Sequence, residues 1–267
     1  MSYDPETYWE ERYGLFRLAS SGHRDLPEAY NYWLYDRKKT RIQDGLRRER
    51  ISVGSCHILE LGCGTGVYVD MWKRMGAVSL TGFDITSISV ENLAPKYPGY
   101  RFHKEDITDP TLAERHSGSF DLVTAFDVLY HIVDDTRFSQ AVANIGRFCR
   151  AGGLLLIHDV FLGGAEEDHG YIRWRSLATY KRELQKAGFE IRHRLPIFFL
   201  MIQAIDLRRG GFMSNLHERI WDVLRRFIDK CPDRAGHMLS SLDALLLSRS
   251  EDGPSMELVV CRKKEGR

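Results

Sequence analysis

The most constraining stretch of this 267-residue chain is an apolar run that ends in three closely spaced glycines. Residues 58–66 read Ile-Leu-Glu-Leu-Gly-Cys-Gly-Thr-Gly. Because glycine lacks a Cβ, a strand that runs into such a loop can turn sharply and bring bare backbone against a ligand. Val67, Met71 and Met75 then recur at helical spacing. The pattern predicts a strand, a glycine loop and a helix, which together are typical of a site for a nucleotide-like cofactor.

The glycine spacing separates two kinds of cofactor site. Dinucleotide-binding loops have the spacing G-x-G-x-x-G, whereas this loop has G-x-G-x-G with Glu60 two residues before it. The string Glu-Leu-Gly-Cys-Gly-Thr-Gly resembles motif I of class I S-adenosylmethionine (SAM) dependent methyltransferases. The resemblance implies SAM as cofactor, S-adenosylhomocysteine (SAH) as product, and cofactor contacts from Glu60, Gly62, Cys63, Gly64 and Gly66. An ordinary glycine-rich turn would explain the loop but not the positions that follow it.

Later segments alternate between strand and helix patterns. Short apolar or β-branched runs predict strands at 57–61, 79–83, 100–104, 120–126, 154–160, 189–195 and 256–262. Strands that alternate with helices predict an α/β fold with a doubly wound parallel sheet. The resemblance adds that the last strand is antiparallel beside the sixth, so the expected sheet is seven-stranded and mostly parallel.

Acidic residues follow the second and third predicted strands. Asp84 lies about twenty residues beyond the loop, where a carboxylate can accept hydrogen bonds from both ribose hydroxyls; the alternative is a helix cap for the segment from Ser87. The resemblance assigns Asp106 to the adenine amino group and Ile107 to the adenine ring, and the alternative for Asp106 is a plain turn. Ile85 and Phe126, at the ends of strands two and four, complete the predicted cofactor site.

Candidates for catalysis follow strands four and five, because ligands in open α/β sheets lie at the carboxyl ends of the strands. His131 is the first choice as general base, since its unperturbed pKa lies near neutrality. Asp127 precedes it by four residues, a spacing that resembles small-molecule methyltransferases acting on phosphoethanolamine. A hydrogen-bonded structural histidine is the alternative. Further substrate candidates here are Tyr130, His158 and Asp159, and no metal site is expected.

The N-terminal segment is rich in aromatic residues, which is unlike a disordered tail. Simple packing on the core explains most of them. The functional alternative is a lid that excludes water and offers aromatic faces to a sulfonium, with candidate residues Tyr3, Tyr8, Trp9 and Tyr13. The predicted organisation is a helical cap (1–50), a SAM-binding Rossmann-like core (51–196), a helical insertion (197–254) and the last core strand (255–267).

The insertion carries two amphipathic helical patterns separated by Pro232. Asn215 and Glu218 have the spacing of a capping box, which predicts that the first helix starts near Asn215. The apolar faces are interpreted as added core, a roof over the substrate, or a dimer face.

Composition limits the partners. A formal net charge of +1 gives no global field for a polyanion, so no nucleic acid is expected. Five scattered cysteines without a C-x-x-C pair predict a reduced compartment. The absence of a leader pattern and of a membrane-length apolar run predicts a cytoplasmic protein without membrane contact. The expected oligomeric state is a monomer or a homodimer.

Together these patterns are interpreted as a methyltransferase that acts on an oxygen, or as second choice a nitrogen, of a small-molecule acceptor. Three alternatives stay open: RNA or protein methylation, a nicotinamide-dependent oxidoreductase, and SAM or SAH binding by a non-catalytic regulatory subunit. The missing G-x-G-x-x-G opposes the oxidoreductase.

Overall fold

The computed structural model describes residues 3–116, 120–206, 212–248 and 253–265, and for residues 212–218 it describes the backbone only. The strands in this part of the chain are β1 (His57–Leu61), β2 (Ser79–Asp84), β3 (Arg101–Lys104), β4 (Phe120–Phe126), β5 (Cys149–Leu162), β6 (Glu167–Asp168), β7 (Arg173–Ser176), β8 (Phe189–Pro196) and β9 (Met256–Lys263). The helices are α1 (Pro5–Arg12), α2 (Leu18–Ser21), α3 (Glu28–Arg48), α4 (Val67–Arg74), α5 (Ser87–Lys96), α6 (Leu112–His116), α7 (Asp135–Phe148), α8 (Leu177–Lys186), α9 (Phe212–Lys230) and α10 (Pro232–Leu246).

The sheet has a parallel centre and an antiparallel edge. Strands β3, β2, β1, β4 and β5 lie side by side and parallel. β9 then pairs antiparallel with β5 on one side and with β8 on the other. This arrangement confirms the predicted α/β fold, with a mostly parallel sheet and an antiparallel last strand.

Both faces of the sheet are buried, because side chains alternate between faces along each strand. In β1, Ile58 belongs to one apolar cluster and Leu59 to the other, and Leu122 and Val123 in β4 divide in the same way. Helices therefore cover the sheet on both sides, and the carboxyl ends of β1, β2 and β4 open toward the same edge.

The insertion packs on the N-terminal helices. α10 contacts α3, where Trp33 of α3 lies against Gly236. Asp243 of α10 is fully buried, and its carboxylate accepts hydrogen bonds from the backbone N–H groups of Phe199, Leu200 and Met201. Helix α3 supplies the buried Arg37, which donates to the carbonyl oxygen of Asp243 (3.2 Å).

Two features differ from the sequence prediction. The short strands β6 and β7 form an antiparallel hairpin whose second strand pairs with the end of β5. Their sequence is mostly charged and lacks an apolar alternation, so the strand pattern misses them. The prediction of a helix start at Asn215 is wrong, because α9 begins at Phe212 and Asn215 lies within the helix.

Within the described residues, no helix combines the length and apolarity that crossing a membrane requires.

Candidate functional site

A cavity of about 240 Å³ lies at the carboxyl edge of the parallel strands. Its described lining comes only from positions between 3 and 137, so no described residue of the insertion contributes to it. The glycine loop stands at one end, and the segment after β3 stands at the other. The predicted site residues that line this cavity are Tyr3, Trp9, Tyr13, Gly62, Cys63, Gly64, Asp84, Ile85, Asp106, Ile107, Phe126, Asp127 and His131.

The glycine loop needs its glycines for backbone conformation and for close packing. Gly62 and Gly64 have φ values of 67° and 49°, in the left-handed region where side chains are disfavoured. A Cβ on Gly64 would lie 2.8 Å from the hydroxyl oxygen of Tyr13, and one on Gly62 would collide with Val128. The loop is therefore packed between the N-terminal segment and the end of β4.

Asp84 fastens the glycine loop to β2. The side chain is 4% exposed, and its Oδ2 accepts a hydrogen bond from the Gly64 N–H (2.7 Å). Its Oδ1 accepts from the N–H and the hydroxyl of Thr86 (3.0 and 2.7 Å). Burial raises the pKa of Asp84, while these hydrogen bonds oppose that shift. The carboxylate thus orders the loop and also faces the cavity. The helix cap of α5 is Thr86 rather than Asp84.

The far end of the cavity combines an acid with apolar walls. Oδ1 of Asp106 accepts from the N–H and the hydroxyl of Thr108 (2.8 and 2.7 Å), and its Oδ2 accepts from Arg137 Nη2 (2.6 Å). Ile107 is buried beside it, and Phe83 and Val133 also line this end. Such a slot can hold a flat, mostly apolar ring with a polar edge.

Asp127 follows β4 with an unusual backbone and an unusual set of partners. Its φ is 59°, one of two positive values outside glycine among the described residues. Lys38 Nζ of α3 donates to its Oδ2 (2.8 Å), and Nδ1 of the buried His158 lies 3.0 Å from its Oδ1. Burial favours the neutral acid, but His158 and Lys38 outweigh burial and hold the pKa of Asp127 below its usual range.

His131 lines the cavity at the short 3₁₀ turn after Asp127. Its Nδ1 lies 3.0 Å from the carbonyl oxygen of Tyr171, in the turn between β6 and β7. A carbonyl only accepts hydrogen bonds, so Nδ1 carries the proton and Nε2 keeps a lone pair. Burial lowers the pKa of His131 to about 4. The side chain is therefore neutral at neutral pH.

The predicted pair of Asp127 and His131 shares the cavity but has different hydrogen-bond partners. The acid is bound by Lys38 and the histidine by the Tyr171 carbonyl. The spacing of four residues places both side chains at one wall without bringing them into direct contact.

Helix α1 closes the cavity from the N-terminal side. Tyr3, Pro5, Trp9 and Tyr13 contribute to the lining. Trp9 meets His131 edge to face, with ring centroids 4.9 Å apart. These aromatic side chains therefore line the space next to His131.

Two glutamates fasten α1 to the core. Glu10 accepts hydrogen bonds from the N–H groups of Ser87 and Ile88 at the start of α5 (2.5 and 3.4 Å). Glu6 forms an ion pair with Lys104 at the end of β3 (2.6 Å). A carboxylate at a helix N-terminus is stabilised by the unpaired N–H groups and by the helix dipole.

Other predicted site residues do not line the cavity; they are Glu60, Gly66, Tyr8, Tyr130, His158 and Asp159. Glu60 is 1% exposed and accepts from Trp72 Nε1 (2.6 Å), and burial raises its pKa to about 8. Asp159 accepts from the Tyr180 hydroxyl on the other face of the sheet from His158. Tyr130 and His158 lie behind the lining, next to Asp127. Tyr8 packs on Tyr171.

Sequence reasoning missed several lining or supporting residues. Tyr35 and Tyr68 line the wall beside Asp127, and Lys38 lies behind it. Lys38 belongs to a charged helical stretch whose sequence predicts a solvent-exposed face, so only the fold shows its contact with Asp127. Tyr68 lies in the first turn of the helix after the glycine loop, and this position could have identified it from the sequence as a lining residue.

The charges of the cavity wall are mostly negative. Of the described lining residues, Asp84, Glu105, Asp106, Asp127 and Asp134 are acidic, and Arg137 is the one lysine or arginine among them. Arg137 is paired with Asp106, Lys38 with Asp127 and Arg115 with Glu105, which leaves Asp84 and Asp134 as the carboxylates of the described lining outside these ion pairs. The wall therefore suits a ligand that carries positive charge.

Comparison with known proteins identifies the core. A family model described as "Methyltransferase domain" matches residues 58–153. A ubiquinone biosynthesis O-methyltransferase from Nitrosococcus oceani is 32% identical over 108 residues, which cover 40% of this chain and 44% of the relative. One from Pseudomonas aeruginosa is 28% identical over 114 residues, covering 42% and 47%. The chain thus matches less than half of the length of these relatives.

Solved structures show the same fold. An S-adenosylmethionine dependent methyltransferase from Mesorhizobium loti has a TM-score of 0.53 and 17% identity, covering 82% of this chain and 96% of that one. The [4+2]-cyclase SpnF has a TM-score of 0.54 and 19% identity, covering 85% and 81%. Residues 58–153 therefore match a methyltransferase domain, and the chain has the Rossmann-like fold of S-adenosylmethionine-dependent methyltransferases.

Proposed function

We propose that the chain transfers a methyl group from SAM to an oxygen of a small-molecule acceptor, with nitrogen as the second choice. The methyltransferase domain and the O-methyltransferase names of the curated relatives support this proposal. Because those matches cover less than half of each relative, the proposal does not extend to the acceptor on which the relatives act.

The observation that carries the proposal is the charge of the cavity at the glycine loop. Five carboxylates and one paired arginine line it. A dinucleotide would bring a doubly charged pyrophosphate to this wall, where carboxylates repel it. SAM carries a sulfonium and no phosphate, so its charge complements the wall.

The residues present fit SAM from one end of the cavity to the other. Asp106 and Ile107 would hold the adenine, Asp84 would accept from the ribose hydroxyls, and the backbone of Gly62 and Gly64 would face the amino-acid end. When bound, SAM supplies a methyl group on a positively charged sulfur, which is transferred by in-line displacement.

His131 is the residue proposed to receive the acceptor's proton. The Tyr171 carbonyl fixes the tautomer that leaves a lone pair on Nε2. The low pKa keeps His131 unprotonated at neutral pH but also makes it a weak base. It therefore suits an acidic hydroxyl, such as a phenol, better than an aliphatic alcohol. Trp9 and Tyr13 hold the acceptor close and keep water out.

A second function is binding of an adenosyl ligand without methyl transfer. The low pKa of His131 favours it, because a weak base contributes little to proton transfer. The similarity to a protein named a cyclase shows that this fold is not restricted to methyl transfer.

The test is transfer of a labelled methyl group. The protein is incubated with methyl-labelled SAM and a panel of phenols, catechols, amines and bulk RNA, and products are identified by mass spectrometry. The proposal expects label on a phenolic oxygen and an equal amount of SAH. Binding of SAM without any labelled product would support the second function, and label in RNA would contradict a small-molecule acceptor.

A further inference from the structure

Asp127 has the chemistry of a ligand-binding carboxylate rather than of a base. It lines the cavity with 15% of its side chain exposed, so it is partly accessible from the cavity. Lys38 donates to Oδ2, and Nδ1 of His158 lies 3.0 Å from Oδ1. A carboxylate has about four acceptor positions, and the hydroxyls of Tyr68 and Tyr130 are both 3.5 Å away, at the limit of a hydrogen bond. Asp127 therefore keeps the capacity to accept from a ligand.

The backbone at Asp127 is held in an uncommon conformation. Positive φ costs free energy for residues other than glycine, although Asp and Asn tolerate it best. The Asp127 N–H donates to the carbonyl oxygen of His158 (3.0 Å), which fixes the residue in this conformation at the end of β4. Such outliers often mark functional positions. Here the conformation directs the carboxylate toward Lys38 and the cavity.

The position of Asp127 selects the part of the ligand that it meets. Val128, its neighbour, packs against Gly62 of the glycine loop, and Tyr68 lies in the first turn after that loop. Asp84 and Asp106 lie progressively farther along the strand ends. In the cofactor placement proposed above, the loop end of the cavity receives the amino-acid end, which carries an ammonium group.

We propose that Asp127 binds the α-ammonium group of the adenosyl ligand, and that Lys38 and His158 are positioning residues for this carboxylate. This inference rests on the proposed function, because it assumes an adenosyl amino-acid ligand. It replaces the catalytic role that the sequence suggested for Asp127. An ionised carboxylate whose pKa lies below its usual range is a poor proton acceptor, which agrees with a binding role.

The two supporting residues have separable tasks. Lys38 provides the charge that keeps Asp127 ionised, and its own ammonium lies 5.2 Å from the ring centre of Tyr35, which also lines the cavity. His158 is 1% exposed, and burial lowers its pKa, so it is neutral at neutral pH. Its Nδ1 lies 3.0 Å from Oδ1, so it packs against this oxygen without adding a second positive charge.

The experiment measures the binding of three ligands by calorimetry. SAH has both amino-acid charges, S-adenosyl-3-thiopropylamine keeps the amine but lacks the carboxylate, and 5′-methylthioadenosine lacks both. D127N tolerates the left-handed backbone and removes the charge. It should weaken binding of SAH and of the amine by at least about tenfold, the value of a charged hydrogen bond, and leave 5′-methylthioadenosine unchanged.

Matched variants separate binding from folding. D121N changes a carboxylate at the opposite end of β4 that is paired with Arg150, and it should change none of the three affinities. Lys38→Met should reproduce the ligand selectivity of D127N more weakly, and Lys38→Arg should restore binding of SAH.

Two outcomes would overturn the inference. Equal loss of all three ligands in D127N would assign Asp127 a structural role, and no loss of SAH would remove the contact. If the unaltered protein bound none of the three ligands, the proposed function itself would fail. That result is distinct from failure of the Asp127 contact alone, in which SAH binds equally well to both forms.

Discussion

Replacing Asp84 with Asn tests whether the carboxylate that orders the glycine loop also controls cofactor affinity. The substitution keeps the size of the side chain. An Asn side chain can still accept from the Thr86 N–H and hydroxyl, but its NH₂ group would then face the Gly64 N–H, which now donates to Oδ2. Two donors cannot pair, so Gly64 loses its link to β2, while the N–H groups of Gly62 and Cys63 still donate to the carbonyl oxygen of Phe83.

The magnitude follows from the burial and the charge of this link. A hydrogen bond to a charged group contributes about 1.5–3 kcal/mol. Asp84 is 4% exposed, so solvent cannot replace the lost acceptor. If that free energy is lost from the bound state, SAH affinity falls by roughly 10- to 150-fold. Loss of the proposed ribose contacts acts in the same direction.

Calorimetry with SAH, together with thermal unfolding, separates the affinity from stability. Asp109 is a matched control, because its Oδ1 accepts from the N–H and hydroxyl of Thr111 (both 2.8 Å) in the same local arrangement, away from the cavity lining. D109N should bind SAH like the unaltered protein. A folded D84N protein with unchanged SAH affinity would refute the reasoning.

Three further predictions concern pH, catalysis and ligand release. Burial raises the pKa of Glu60 from the reference value of 4.5 to about 8 in the folded state. As pH rises from 4.5 to 8, Glu60 is therefore ionised in the unfolded chain but still neutral in the folded protein, so the unaltered protein loses stability over this range. E60Q does not titrate, and its Tm relative to the unaltered protein should rise between pH 5 and 8 by up to about 2–4 °C per pH unit; a constant difference would contradict the buried neutral acid. H131A should lower kcat by roughly 100-fold while SAH affinity stays the same, and full activity of this variant would make His131 structural. In the unaltered protein, the acidic limb of the pH profile of kcat/KM should lie near pH 4 rather than 6.5. E10Q should speed SAH dissociation by about 2- to 5-fold in stopped-flow tryptophan fluorescence, because α1 loses its charged contact with α5. E11Q, on the exposed side of α1, should leave the rate unchanged, and equal rates in the two variants would contradict a role of α1 in retaining the ligand.

The part of the site that sequence could predict is the part fixed by strand ends. Asp84, Asp106 and Asp127 each stand at or just after a parallel strand, and such positions meet at one edge of the sheet. The structure brings all three to one cavity. Their roles toward a ligand remain predictions.

The residues that sequence could not place depend on side-chain direction and on distant contacts. His158 and Asp159 are neighbours in β5, so their side chains point to opposite faces, and neither lines the cavity. Lys38 meets Asp127 across 89 positions of sequence. The Tyr171 carbonyl that fixes His131 belongs to a hairpin without an apolar pattern. Local patterns contain no information on such contacts.

The most direct test of the account is calorimetric titration of the unaltered protein with SAH and, separately, with a nicotinamide dinucleotide. The acidic wall and the glycine loop predict saturable one-to-one binding of SAH and no binding of the dinucleotide. Binding of the dinucleotide in preference to SAH, or no heat with SAH at saturating concentration, would contradict the account.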